Sequence, residues 1–290
     1  MARIAGIKCT LPLHGTIVNY LTGFEGNEVQ NLIEDEVAAG NRWDVNITTG
    51  AKEYTGRIEA ELVSGLPFYS VLGKVTGTVG QEICTITPQE SIPLATISAS
   101  SEAGTIRLND CKCDRLRVNW AAGEFTSYEA EFVCENTLEP EAIGGACTWT
   151  YLSPTGASVA VAVGGSTLTE LQSGNLEIVN NLEARYACGL GKNPQTIREQ
   201  RLEVSGALTV GQADVDKFTT GKSSINIKIK GIGTEATGNM EIIIGSVWFD
   251  ELPEEFSGHD VYEVEFTWKA QPIVGGDIIE VRDKSLVTTW

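Results

Sequence analysis

An all-β chain with one minor helix, laid out as two tandem domains, is the fold that the sequence predicts. Three observations carry the prediction. Short segments alternate apolar and polar residues, the period of a half-buried strand; Tyr262-Glu263-Val264-Glu265-Phe266 is the clearest. The 31 glycines, set among many short Thr, Val and Ile runs, favour strands joined by many turns over long helices. The same alternating strand also occurs earlier as Tyr128-Glu129-Ala130-Glu131-Phe132. A second echo, Arg57-Ile58-Glu59-Ala60-Glu61-Leu62 against Arg201-Leu202-Glu203-Val204, precedes it in the same order. Two echoes in one order point to a duplication whose loops differ in length.

The expected layout follows in chain order. Residues 1–26 read as an irregular arm, with Gly6, Gly15, Gly23 and Gly26. The spacing of Val29, Leu32, Ile33 and Val37 predicts a helix over 27–39, capped by Asn27 and stopped by Gly40. The first domain is placed at 27–140, with strands at 43–49, 55–63, 83–86, 94–98, 105–108, 114–119 and 128–133. Pro140 and the pair Gly144-Gly145 mark the boundary. The second domain spans 146–270, with strands at 148–152, 159–163, 174–180, 185–187, 202–210, 224–230, 239–249 and 261–268. Residues 271–290 form a tail.

At 290 residues and 42% apolar composition, the chain has enough material for two cores. No apolar run is long enough to cross a bilayer as a helix, and no signal-peptide core is visible, so the expectation is synthesis in the cytoplasm and no membrane partner. The net charge of −18, from 39 acids and 21 bases, disfavours tight binding to nucleic-acid phosphates. Solubility alone is the plain reading of such a charge. The seven cysteines form no CxxC pair. They read either as reduced buried thiols or as including a disulfide from Cys111 or Cys113 to Cys134.

Catalytic patterns are missing. Gly221-Lys222-Ser223 resembles the end of a phosphate loop, but Asp216 stands where its first glycine belongs. Gly231-Ile232-Gly233 lacks the third glycine of a dinucleotide fingerprint. His14 and His259 are the only histidines, which leaves nucleophile triads and zinc sites poorly supplied. The expectation is a protein that is not an enzyme and holds no metal or cofactor.

One stretch is more specific. Val179-Asn180-Asn181-Leu182-Glu183-Ala184-Arg185-Tyr186 is followed by Gly189 to Glu199 and then by Arg201-Leu202-Glu203-Val204-Ser205-Gly206-Ala207-Leu208-Thr209-Val210. It resembles the strand, loop and strand of tail tube proteins from tailed double-stranded-DNA viruses. Residues 249–266 resemble the closing hairpin of that family, and 45–48 with 54–63 match it weakly. The resemblance implies two tandem β-sandwich or barrel-like tail-tube domains. It also implies a homo-oligomeric ring of three two-domain subunits with pseudo-sixfold symmetry. Such rings stack, alongside other tail proteins, into a virion conduit through which DNA passes without tight binding. In such a conduit, the outer faces of the alternating strands could present charge to the lumen. The candidates are Glu129, Glu131, Glu263 and Glu265, with Glu59, Glu61 and Glu203 behind them; outer solvent or inter-subunit ion pairs are the other places they could face. A β-sandwich binding module of the tail, for a receptor or carbohydrate, is the alternative reading.

Overall fold

The computed structural model describes residues 10–11, 16–17, 21–36, 45–77, 83–101, 104–137, 154–188, 191–218, 222–232, 238–250, 263–272 and 275–285. The first half contains β1 (Thr10–Leu11), β2 (Thr16–Ile17), β3 (Leu21–Glu36), β4 (Val45–Glu61), α1 (Leu66–Leu72), β5 (Gly73–Thr76), β6 (Cys84–Pro88), β7 (Ala95–Ser101), β8 (Gly104–Ala121), β9 (Ser127–Cys134) and β10 (Asn136–Thr137). The second contains β11 (Val159–Val163), β12 (Ser166–Thr167), β13 (Leu171–Val179), β14 (Glu183–Arg185), β15 (Thr196–Arg198) and β16 (Glu203–Gly211). A 3-10 turn at Gln212–Lys217 then leads to β17 (Lys222–Lys230), β18 (Asn239–Phe249), β19 (Glu263–Ala270) and β20 (Glu280–Lys284). The expected class, all-β with a minor helix, is what the structure has.

The helix is elsewhere than expected. Residues 27–36 belong to β3, which pairs antiparallel with β4 from Leu21↔Ala60 to Glu36↔Val45; residues 37–39 lie outside the described set. Helical spacing of four aliphatic residues is a weak local preference, and pairing along a whole neighbouring strand outweighs it. The true helix, α1, has Gly65 at its N-cap, Pro67 in its first turn and Gly73 at its C-cap with φ 92°. Proline at the start and glycine at the end is the expected asymmetry. Phe68, Val71 and Leu72 bury its inner side. Asp283 of β20 accepts a hydrogen bond from Gly65 N–H at 2.8 Å and so ties the C-terminal strand to the helix start.

Two layers enclose one core. The first runs β3-β4-β9-β8-β13-β16-β19. The second runs β12-β11-β17-β18-β20-β6-β5. They join where Val247↔Ala270 and Phe249↔Trp268 pair. From the first layer Ile58, Ala130, Leu116, Ile178 and Val204 point inward as one cross-strand row. They meet Ile227, Ile242 and Val281 of the second in a single hydrophobic cluster.

The pairing pattern of β1–β10 recurs in β11–β20. The hairpin β1–β2 on β7 matches β11–β12 on β17. The neighbours β3-β4-β9-β8 match β13-β16-β19-β18, and α1 stands where the 3-10 turn follows β16. Register shifts recur too, at Leu21/Gly23 and Leu171/Ser173, and at Ala95/Ile97 and Ser223/Ile225. The shift at Gln30/Leu32 has its counterpart where β13–β16 gives way to β14–β15.

These registers correct the residue matching of the echoes. Gly56 faces Phe132 as Gly206 faces Trp268, so Tyr128 corresponds to Val264 and Glu129 to Glu265. Arg57 corresponds to Ala207, not to Arg201. An alternating strand that slips by an even number of residues keeps the same faces, so alternation alone cannot set this register.

Other expectations can be placed. The boundary at 141–145 lies outside the described residues, as do His14, His259, Cys9 and Cys147. Part of the arm, 21–26, is regular strand within β3, and part of the tail forms β20 on β18 and β6. Cys111 and Cys134 form a disulfide across β8 and β9. Cys84 and Cys113 are buried free thiols, and burial pushes Cys113 well above its ordinary range; Cys188 is exposed.

Candidate functional site

All seven nominated glutamates lie on one face of the first layer. One cross-strand row reads Glu59, Glu129, Arg117, Glu177, Ser205 and Lys269. The next reads Arg57, Glu131, Arg115, Val179 and Glu203. Glu61 follows Glu59 on the same side of β4, and Glu263 and Glu265 precede Lys269 on the same side of β19. Alternation puts them there: the intervening Ile58, Ala60, Tyr128, Ala130, Val264 and Phe266 are buried in the core.

This face is acidic but not evenly so. Glu59 and Glu129 are directly opposite, an arrangement that repels. Arg57 bridges them, with contacts of 2.7 Å to Glu59 and 2.6 Å to Glu129. Arg115 lies 3.5 Å from Glu131 and 3.4 Å from Glu177, and Lys269 lies 3.2 Å from Glu203. Glu61, Glu263 and Glu265 have no ion-pair partner among the described residues. Exposed pairs such as these contribute little stability, so the face costs the fold little and its charge is available for other work. The sequence reading missed Glu25 opposite Arg57, Glu177, Arg115 and Arg117 on the same face. The alternation Leu176-Glu177-Ile178 carried the signal for Glu177.

The two halves meet within this layer, where β8 pairs β13 from Arg115↔Val179 to Ala121↔Ser173. Beyond the paired strands, Asn180 donates to the carbonyls of Val71 and Cys113, each at 2.9 Å. Leu182 N–H donates to Asp114 Oδ1 at 2.7 Å. Lys112 reaches the Ile197 carbonyl at 3.0 Å and Glu199 at 2.5 Å. A cleft of about 300 Å³ beside this junction is lined by Leu72, Glu90, Ile92, Glu199 and Leu202. Nothing in it forms a nucleophile and base pair. Among the described residues no cluster of His, Cys, Asp and Glu could hold a metal.

Glu199 makes the junction sensitive to acid. Burial raises its pKa, but the hydrogen bond and charge of Lys112 outweigh this and hold it below the usual carboxylate range. A depressed folded pKa adds stability above the unfolded value, about 4.3, and that stability is lost as pH falls through the folded value. Thermal midpoints measured from pH 7 to pH 3 are expected to fall below about pH 4. Glu199→Gln should remove part of that slope; an unchanged slope would mean that this pair carries none of it.

A family model described as "Phage tail tube protein" matches residues 12–277. A search of curated proteins finds no match. The match takes in the whole first layer, every strand of the second layer except β20, the junction between the halves and every glutamate of the acidic face. The chain belongs to the phage tail tube protein family and is a structural component of the virion tail.

Proposed function

We propose that the chain is two copies of one tube domain, and that three chains close into a ring with pseudo-sixfold symmetry. Rings stack, with other tail proteins, into a hollow conduit for viral DNA. The chain is made in the host cytoplasm and works in the virion tail, as a wall and not as an enzyme. The observation that carries this reading is the acidic face, to which both halves contribute on one continuous sheet. Lining the lumen with Glu59, Glu61, Glu129, Glu131, Glu203, Glu263 and Glu265 repels phosphates and leaves DNA free to slide. The recurring register shifts support the duplication, because an irregularity shared at matching positions is hard to reach twice by independent routes. On this reading the first copy spans β1–β10 and the second β11–β20, which brings parts of the expected arm and tail into the two domains.

Electron microscopy of the purified protein tests the proposal. Rings or tubes with a central hole and six similar lobes per ring are expected. A monodisperse monomer that binds glycans would favour a tail binding module instead.

A further inference from the structure

We infer that the outer face of the second layer docks a protein whose contact surface is acidic. This face is the side of the sandwich opposite the acidic face, so on the ring reading above it lies on the outside of the tube. The docking itself does not depend on that reading.

The strands of this layer alternate like those of the first. Ile227, Ile229, Met240, Ile242, Val281 and Ile86 turn into the core. The residues between them turn out, and one cross-strand row reads Ala160, Lys228, Glu241, Arg282, Thr85 and Thr76. The next row reads Lys230, Asn239 and Lys284. Lys74 stands two residues from Thr76 on the same side of β5, and Glu280 two residues from Arg282 on the same side of β20. At the described strand positions of this face, five cations therefore stand against two carboxylates. The chain as a whole carries −18. Its sandwich is polarised, with carboxylates in excess on one outer face and cations on the other.

The two carboxylates are already engaged. Glu241 accepts a hydrogen bond from Asn226 at 2.8 Å and lies 3.5 Å from Lys228 and 3.7 Å from Arg282. Glu280 lies 2.6 Å from Arg282. Lys74, Lys230 and Lys284 have no ion-pair partner among the described residues. Solubility does not ask for this, because carboxylates serve it better than lysines. Charge set apart on one face serves recognition: it steers a partner of opposite sign and fixes its register. The layout states the partner's chemistry. Lys230 and Lys284 stand at the ends of β17 and β20, and Lys74 stands on the edge strand β5, with the internally paired strip between them. A nucleic acid would carry its regularly spaced phosphates across Glu241 and Glu280. A protein surface can set carboxylates against the three lysines and neutral groups against the strip. The face spans about 24 Å from β11 to β5, five strand spacings. With Ala160, Thr76 and Thr85 in its central row, it presents a flat bed and not a groove.

Carbodiimide cross-linking of intact virions tests the inference, since it joins a lysine to a carboxylate only where the two touch. Mass spectrometry of the peptides that contain Lys74, Lys230 or Lys284 should find them linked to Asp or Glu of a different protein. Links to copies of this chain alone, or no links at these lysines, overturn the inference. The variant Lys230→Glu with Lys284→Glu should keep the wild-type melting temperature and assemble as the wild type does, because both side chains lie outside the core. Its virions should carry the cross-linked protein at about a tenth or less of the wild-type ratio. Virions with the full ratio overturn the inference. So does a folded variant that no longer assembles, which would make the face a contact between copies. A 20-base-pair duplex that binds the wild type and not the variant at about 0.15 M salt would give the face to phosphates, and overturns it too. The ring reading fails separately, if purified wild-type protein forms no rings.

Discussion

Replacing Glu263 and Glu265 together by lysine is expected to leave tubes assembling while DNA ejection slows and infectivity drops. The two side chains alternate with Val264, Phe266 and Trp268, which are buried, so the substitutions do not enter the core. Both positions are exposed, and neither glutamate has an ion-pair partner among the described residues, so no local network collapses. What changes is the sign of the field on one edge of the acidic face. A passing duplex that meets lysines releases condensed counterions and binds, and this gain falls steeply with salt. Infectivity should fall about tenfold or more, with the ejection defect relieved as salt rises. Normal infectivity from normal tubes would show that this face does not line the lumen.

Gly206→Ala is expected to cost the fold about 3 kcal/mol, and the corresponding Gly56→Ala about 1 kcal/mol. Both glycines face a large aromatic residue across the sheet, Trp268 and Phe132 respectively. Their surroundings differ. A Cβ at Gly206 would lie 2.2 Å from the Asn175 carbonyl oxygen and 2.5 Å from the Trp268 ring. The carbonyl belongs to a paired backbone and cannot step aside. At Gly56 the nearest atom is Leu108 Cδ1 at 2.9 Å, the end of a side chain that can change rotamer. Calorimetry should find the Gly206→Ala melting temperature lower by about 6–10 °C and the Gly56→Ala shift much smaller. Equal losses would mean that the neighbouring backbone does not set the cost.

Much of this was legible in the residues. The strands expected at 159–163, 239–249 and 128–133 match β11, β18 and β9 closely, because each alternates in and out of the core. The two strands expected at 105–108 and 114–119 are one, β8: Asn109 and Asp110 form an irregularity in its pairing with β7, Asp110 with φ 50°, and the strand runs on through it. The helix expected at 27–39 failed for the opposite reason: its pattern was helical while its partner was a strand. The recurrence of strand patterns between the two halves was visible, but in a shifted register. Its better signal was Thr55-Gly56 against Ser205-Gly206, where a glycine recurs opposite an aromatic residue of the neighbouring strand.

The sequence by itself determined the all-β class, the family, and which residues of each strand turn from the core. These depend on period and composition, which are local. Only the tertiary structure decided which strand lies beside which and in what register. That settled three things: β3–β4 as a long hairpin, β8 and β13 as the join between halves, and the acidic residues of both halves on one face. Pairing joins residues far apart in the chain, and an even slip leaves every alternating pattern unchanged, so the information lies in the contacts across strands and not along them.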